Sequence, residues 1–302
     1  MAAALLSVVA PNRGLPAARL PRRAASASNA GPNAGSGVSS SSFEVTTAHI
    51  AKGEVAREWV ADVFENVDYE LALSSSDAIE ASGEYVRRED EDEELRYGEF
   101  DMGFFVAVLE ACEPLLAEVE GRMDPSGAPG AFVDVGSGRG QIPVLAAALR
   151  SWSRCAGLEY VPVLHAIAEQ APTCLEKLAA SEAARDDADE SGRAAERENA
   201  MPSFDSPAPL SFARGDMYDA EALTDATRGA SMVFMFSTKF AVDRDGRLAV
   251  SPMLRPALAT GAVVVTVNNE LATADGFELV ARADGPDGER SGGSTAYVWR
   301  AV

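Results

Sequence analysis

The sequence predicts an α/β fold, a seven-stranded and mostly parallel sheet with helices on both faces and a last strand that runs antiparallel. Three observations predict it. The run Phe132-Val133-Asp134-Val135 leads directly into Gly136-Ser137-Gly138-Arg139-Gly140-Gln141, a β-branched strand ending in an acid and then a tight turn with glycine at every second position. Beyond the turn, strand-like and helix-like segments alternate, which builds a parallel sheet covered on both faces. The chain closes on two strand-like runs joined by Asp284-Gly285-Pro286-Asp287-Gly288, a connection suited to an antiparallel pair.

Each element has its own signal. A helix is expected around 51–64, followed by a polar stretch that closes in the acidic run Glu89-Asp90-Glu91-Asp92-Glu93-Glu94, read as a solvated loop or helix face. Within 100–119, Phe104, Phe105, Val108, Leu109, Cys112, Leu115, Leu116 and Val119 recur at helical spacing and mark an amphipathic helix feeding the first long strand. After the glycine turn come a helix over 142–149, with Pro143 tolerated in its first turn, a strand over 155–159 and a helix over 161–180. The acidic, alanine-rich piece 181–207 has no apolar period and reads as a disordered insertion. Strands follow at 210–213, 231–236 and 262–267, helices at 221–227 and 248–258, and the closing strands at 277–283 and 295–301.

Composition limits the function classes. A chain of 302 residues, 47% hydrophobic, can bury a full α/β core. No stretch approaches the roughly 18–20 apolar residues of a membrane-spanning helix. The formal charge of −21 argues against nucleic acid, because broad contact with phosphates requires a basic face. Cys112, Cys155 and Cys174 form no Cys-x-x-Cys pair and read as buried thiols, and with only His49 and His165 no histidine-rich metal site is expected. Residues 1–43 contain no acid, while Arg13, Arg19, Arg22 and Arg23 stand among many Ala and Ser. They read as an organelle transit peptide, plastid before mitochondrion, or as a plain disordered tail, which would leave the protein in the nucleus or cytoplasm. Removing their four arginines would take the formal charge from −21 to −25. The expected organisation is this tail, an accessory segment over 44–96 and a main domain over 97–302.

The glycine turn is the sharpest functional signal. Glycine tolerates positive φ and has no Cβ, so Gly-x-Gly-x-Gly can curl tightly and bring backbone N–H groups against a ligand at the start of a helix. It lacks the third glycine position of the dinucleotide fingerprint Gly-x-Gly-x-x-Gly, which disfavours a nicotinamide oxidoreductase. A glycine-rich turn without a ligand is the alternative.

Asp134-Val135-Gly136-Ser137-Gly138-Arg139-Gly140, then an acid ending the next strand (Glu159), then Gly215-Asp216-Met217 after the third, resembles a Rossmann-like class I S-adenosylmethionine-dependent methyltransferase. The resemblance covers about two thirds of the chain. It implies S-adenosylmethionine as cofactor, with Asp134, Gly136, Ser137, Gly138 and Gly140 under its methionine part, Glu159 on the ribose hydroxyls, and Asp216 with Met217 near the adenine. A carboxylate accepts two hydroxyl donors at once, and Glu159 stands about one βαβ unit beyond the turn. Taken singly, Glu159 or Asp216 could as well cap a helix.

Tyr97-Gly98-Glu99 before the long helix, and Gln141 directly after the turn, make the chain similar, more narrowly, to the disruptor-of-telomeric-silencing family of non-SET histone-lysine methyltransferases. That likeness implies Tyr97, Glu99 and Gln141 as cofactor contacts, Glu99 on the amino group. A helix N-terminal turn is the alternative for 97–99. The family carries Asn-Asn-Phe-Ala-Phe after its fourth strand, whereas this chain has Phe236-Ser237-Thr238-Lys239-Phe240 and no basic stretch for a nucleosome. Ser237 and Thr238 become, by analogy, the candidates to hydrogen-bond a nucleophile. The expected activity is methyl transfer to a protein side chain, lysine included, or to a small molecule; a catalytically inactive cofactor-binding module is the alternative.

Overall fold

Eight strands form one sheet in the order β1-β7-β8-β6-β5-β2-β3-β4. They are β1 (Ser41–Ser42), β2 (Ala131–Val135), β3 (Arg154–Glu159), β4 (Leu210–Arg214), β5 (Ala230–Met235), β6 (Val263–Val267), β7 (Phe277–Asp284) and β8 (Thr295–Ala301). This is a computed structural model, and it describes residues 41–64, 99–186, 208–285 and 293–302. Neighbouring strands are parallel except for β8, which runs antiparallel to both β6 and β7. Seven strands match the sequence expectation; the eighth, β1, is a two-residue addition at the edge, pairing Ser41 and Ser42 with Ala281 and Arg282 of β7. It falls inside the serine tract read as the end of the tail.

The helices are α1 (Thr47–Val63), α2 (Met102–Met123), α3 (Gln141–Leu149), α4 (Pro162–Ala168), α5 (Ala171–Asp186), α6 (Ala220–Thr227) and α7 (Ser251–Ala257). Two of them differ from the sequence reading. The helix expected over 161–180 is broken into α4 and α5, because Pro172 has no N–H to give the preceding turn. Helix α5 runs to Asp186, six residues into the piece read as disordered, and 187–207 lies outside the described residues. No helix among the described residues is long and apolar enough to cross a membrane.

Alternation along the central strands sends side chains to two cores. Phe132, Phe234 and Val265 pack with Phe105, Leu109 and Leu145 on one face, while Val133, Val135, Val233 and Val264 pack with Leu223 and Leu254 on the other. Each fully buried side chain of this size contributes about 1.5–3 kcal/mol by leaving water. The N-terminal helix is locked to the first face by a close crossing: a Cβ at Gly53 would stand 2.3 Å from Gly103 Cα, so α1 and α2 touch backbone to backbone. Thr46 and Asp101 cap the two helices, each accepting the N–H three residues on. The strand order reverses between β2 and β5. In an open parallel sheet that switch point leaves a crevice outside the carboxyl ends of the strands, and ligands bind there.

Candidate cofactor and acceptor site

The glycine turn between β2 and α3 sits at that crevice. Gly136, Gly138 and Gly140 all have positive φ, at 80°, 55° and 88°. Space is as restrictive as conformation: a Cβ on Gly136 would stand 2.8 Å from the Phe240 ring, and one on Gly140 2.7 Å from Phe212. Gly157, on the neighbouring strand, has no room for a Cβ either, since the Ser137 hydroxyl lies 2.4 Å from where it would be. Glycine is thus required at these positions for close approach.

The turn does not present its amides as the sequence suggested. Gly136 and Ser137 both donate to Leu158 O, at 2.8 and 3.1 Å, and Gly140 donates to Ser137 O at 2.9 Å. Gly138 donates to Glu159 Oε2 at 2.7 Å. Continued pairing of β2 with β3 takes up these donors, so what the turn offers is a bare Cα edge flanked by carboxylates.

Glu159 ends β3, is only 6% exposed, and also accepts from Val161 N at 2.7 Å. Burial pushes its carboxyl upward in pKa, while the N–H groups of Val161, Gly138 and Tyr160 oppose that shift. Asp134, at 3% exposure, has the more extreme environment. Its Oδ1 has no hydrogen-bond partner among the described residues, and burial, with the Glu159 charge added, holds its carboxyl well above the usual carboxylate range. The Ser137 hydroxyl is likewise buried and unpartnered. Two orphaned polar atoms at one turn are what a ligand would satisfy.

Around the turn stand the other residues singled out by sequence. Glu99 pairs with Arg139 of the turn itself, Oε1 to Nη2 2.7 Å. With its amide oriented to satisfy both neighbours, Gln141 donates to Glu99 at 3.1 Å and accepts from Arg139. Tyr97 lies outside the described residues. Asp216 is exposed and accepts from Tyr218 N at 2.9 Å, forming a local turn after β4. Met217 and Phe240 close over Gly136, with Met217 Cε 3.8 Å from the position of its absent Cβ.

The segment after β5 corrects one expectation of geometry. Ser237 is fully buried and its hydroxyl donates to Val267 O at 2.7 Å, so it faces into the sheet and away from the crevice. Thr238 is exposed, and its hydroxyl accepts from Asn268 Nδ2 at 2.9 Å. Asn269 donates to Ser237 O at 2.6 Å. The asparagines that this segment lacks in its own sequence are brought to it from the end of β6. Asn268 also exchanges two bonds with Thr295, both at 2.8 Å, and takes φ 70°, the sole positive φ of a non-glycine among the described residues. Sequence reasoning missed this pair; the signal was two amides placed directly after a buried strand.

No protein-family model matches the chain, and no curated protein matches it. Solved structures similar to it include the rRNA methyltransferase AviRa from Streptomyces viridochromogenes, 16% identical, with 68% of this chain and 86% of that one covered and a TM-score of 0.46. Another is the magnesium protoporphyrin IX methyltransferase from Synechocystis PCC 6803 with bound SAM, 12% identical, 68% and 88% covered, TM-score 0.37. A third is MtNAS in complex with MTA and tNA, 10% identical, 77% and 70% covered, TM-score 0.38. All three are distant, and the reading of the site rests on its own residues.

Proposed function

We propose that the chain is an S-adenosylmethionine-dependent methyltransferase acting on a protein side chain, lysine included, or on a small-molecule acceptor. The observation that carries this reading is the pair of buried, unpartnered polar atoms, Asp134 Oδ1 and Ser137 Oγ, at a positive-φ glycine turn in the switch-point crevice. The residues present fit the donor. Gly136, Gly138 and Gly140 leave room beside the turn, Glu159 stands one strand over for the ribose hydroxyls, and Asp216 with Met217 borders the adenine end. Each Glu159 oxygen bonded to an N–H keeps a second lone pair, so the loop bonds and the ribose bonds can coexist.

When bound, the donor supplies an electrophilic methyl carbon whose leaving group is a neutral thioether, so little acid catalysis is asked of the protein. Its own residues align the partners and exclude water, the work suited to Phe240 and Met217 packed over Gly136. An amine acceptor has to arrive neutral, and desolvation beside a cationic donor lowers its pKa. Ser237, turned into the sheet, acts as a positioning residue for the segment, which leaves Thr238 at its surface.

That orientation of Ser237 also supports a second reading, a donor-binding module without catalysis. Calorimetry of the full chain with S-adenosylmethionine and with NAD tests the first step; binding of NAD alone would sink both readings. Radiolabelled methyl transfer into a cell extract then separates them, a labelled product favouring the enzyme and tight binding without product favouring the module. Plastid import of residues 1–43 belongs to the proposal too. It is tested by fusing them to a fluorescent protein, and diffuse cytoplasmic signal would refute it.

A further inference from the structure

We infer that Arg139 and Glu99 together form a subsite for an α-amino-acid zwitterion, with Arg139 as the anchor of the methyl donor's carboxylate; this rests on the proposed function. Arg139 is the one charged residue of the five from Gly136 to Gly140. Its side chain is only 11% exposed and its Nη2 lies 2.7 Å from Glu99 Oε1. The guanidinium stands over the Phe64 ring at the end of α1, 5.4 Å from its centroid, and the Gln141 amide bridges the pair. Glu99 is fixed from behind by Phe100, whose ring sits 5.2 Å from Phe234 and 5.4 Å from Phe236 at the end of β5. The cation is therefore carried by the β2 turn and the anion is held against β5, side by side at the switch point.

Three features favour recognition over simple tethering. A mostly buried ion pair gains little net stability, because desolvation offsets its attraction, so its place in a ligand turn calls for another cause. The guanidinium is a planar fork matched to a carboxylate, and it is held by an aromatic face, an acid and an amide before any ligand arrives. The pair also presents one charge of each sign, the complement of an ammonium and a carboxylate on one carbon. Asp134 Oδ1 and Ser137 Oγ, unpartnered in the same turn, independently mark that turn as built for a ligand.

Calorimetry of the full chain with three probes tests this: S-adenosylmethionine, its decarboxylated form and 5′-methylthioadenosine, which lacks both charged groups of the amino acid. The wild type is expected to bind the complete donor roughly 10–100-fold more tightly than the decarboxylated one. The general acidity of the protein works against that preference, since the decarboxylated form is the more positive ligand. Arg139→Gln should bring the ratio near one while leaving 5′-methylthioadenosine unchanged, and Arg139→Lys should restore part of it. Equal wild-type affinity for the two donors overturns the subsite while the methyl-donor reading stands. A parallel loss of all three probes in Arg139→Gln, with no recovery in Arg139→Lys, overturns it in favour of a structural role. Failure of the wild type to bind even 5′-methylthioadenosine removes the underlying reading and the subsite with it.

Discussion

Replacing Glu159 tests the site and the fold together. Its two carboxylate oxygens accept from Gly138 N and Val161 N at 2.7 Å each, and the side chain is buried. Glu159→Ala leaves both N–H groups without a partner, at about 1–3 kcal/mol each if no water enters. Loss of a buried charge beside Asp134 offsets part of that, so the net expectation is about 2–4 kcal/mol. With a denaturant slope of about 1–3 kcal/mol per molar urea, the unfolding midpoint should fall by roughly 1–2 M. Glu159→Gln keeps the volume and one acceptor but points an NH2 group at an N–H donor, and it should fall by about half as much. Donor affinity measured by calorimetry should drop further than stability does, by roughly 100-fold, because the ribose hydroxyls lose their acceptor. A 2′-deoxy donor should bind wild type and Glu159→Gln with similar affinity. Unchanged urea midpoints would refute the geometric argument; unchanged donor affinity in a folded variant would refute the ribose assignment.

Three further outcomes are expected. Asp134 holds its proton in the folded chain at pH values where the unfolded chain has released it, so stability should fall as pH rises above about 4 until the raised folded-state pKa is passed. Asp134→Asn removes that fall, and parallel stability curves for the two proteins between about pH 5 and pH 8 would contradict the assignment. Glu120 has the opposite sign: against the penalty of burial, Arg150, Gly130 N–H and Ser231 hold its carboxyl below the usual range. Its contribution is present at neutral pH and lost on acidification through its lowered pKa, and Glu120→Ala, which leaves Arg150 buried without its main partner, should destabilise by about 3–5 kcal/mol in urea unfolding. Asn268→Ala loses three hydrogen bonds and puts a Cβ residue without a polar side chain at positive φ, at about 2–4 kcal/mol, while Asn268→Gly relieves the backbone term; equal midpoints for the two variants would show that backbone strain plays no part.

The sheet was legible where side chains write the pattern. The run Phe132-Val133-Asp134-Val135 alternates between two buried faces, and Val263–Val267 is buried on both sides, so apolar β-branched sequence and position agree. Strand β1 left no trace, because two serines join the edge of β7 through their backbone alone. The break between α4 and α5 was hidden for a different reason: Leu164, Ile167, Ala168, Ala171 and Leu175 are all buried, so the apolar period runs on through the interruption, and Pro172 was the sign to follow. In the site, Glu159 was legible from its place at a strand end. Ser237 was misjudged because a hydroxyl's direction depends on Val267, thirty residues away, and Asn268 was missed because its positive φ is held by Thr295, which sequence does not place beside it.

The charge arrangement bears on how a methyltransferase of this kind would turn over. The crevice gathers Asp134, Glu159 and Glu99 against the single guanidinium of Arg139. With Asp134 protonated, Glu99 is balanced by Arg139 and Glu159 remains as one uncompensated negative charge. The donor carries one positive charge more than the thioether left after transfer, so that charge attracts donor over product. At an effective dielectric near 20, unit charges about 6 Å apart interact by about 3 kcal/mol, enough for roughly a hundredfold preference. On this reading the buried acid serves release as well as binding: the attraction that draws in the sulfonium disappears when the methyl leaves. Comparing the affinities of S-adenosylmethionine and S-adenosylhomocysteine in wild type and Glu159→Gln isolates the effect. The preference for the donor should shrink at least tenfold in the variant, and an unchanged preference would place its origin elsewhere in the crevice.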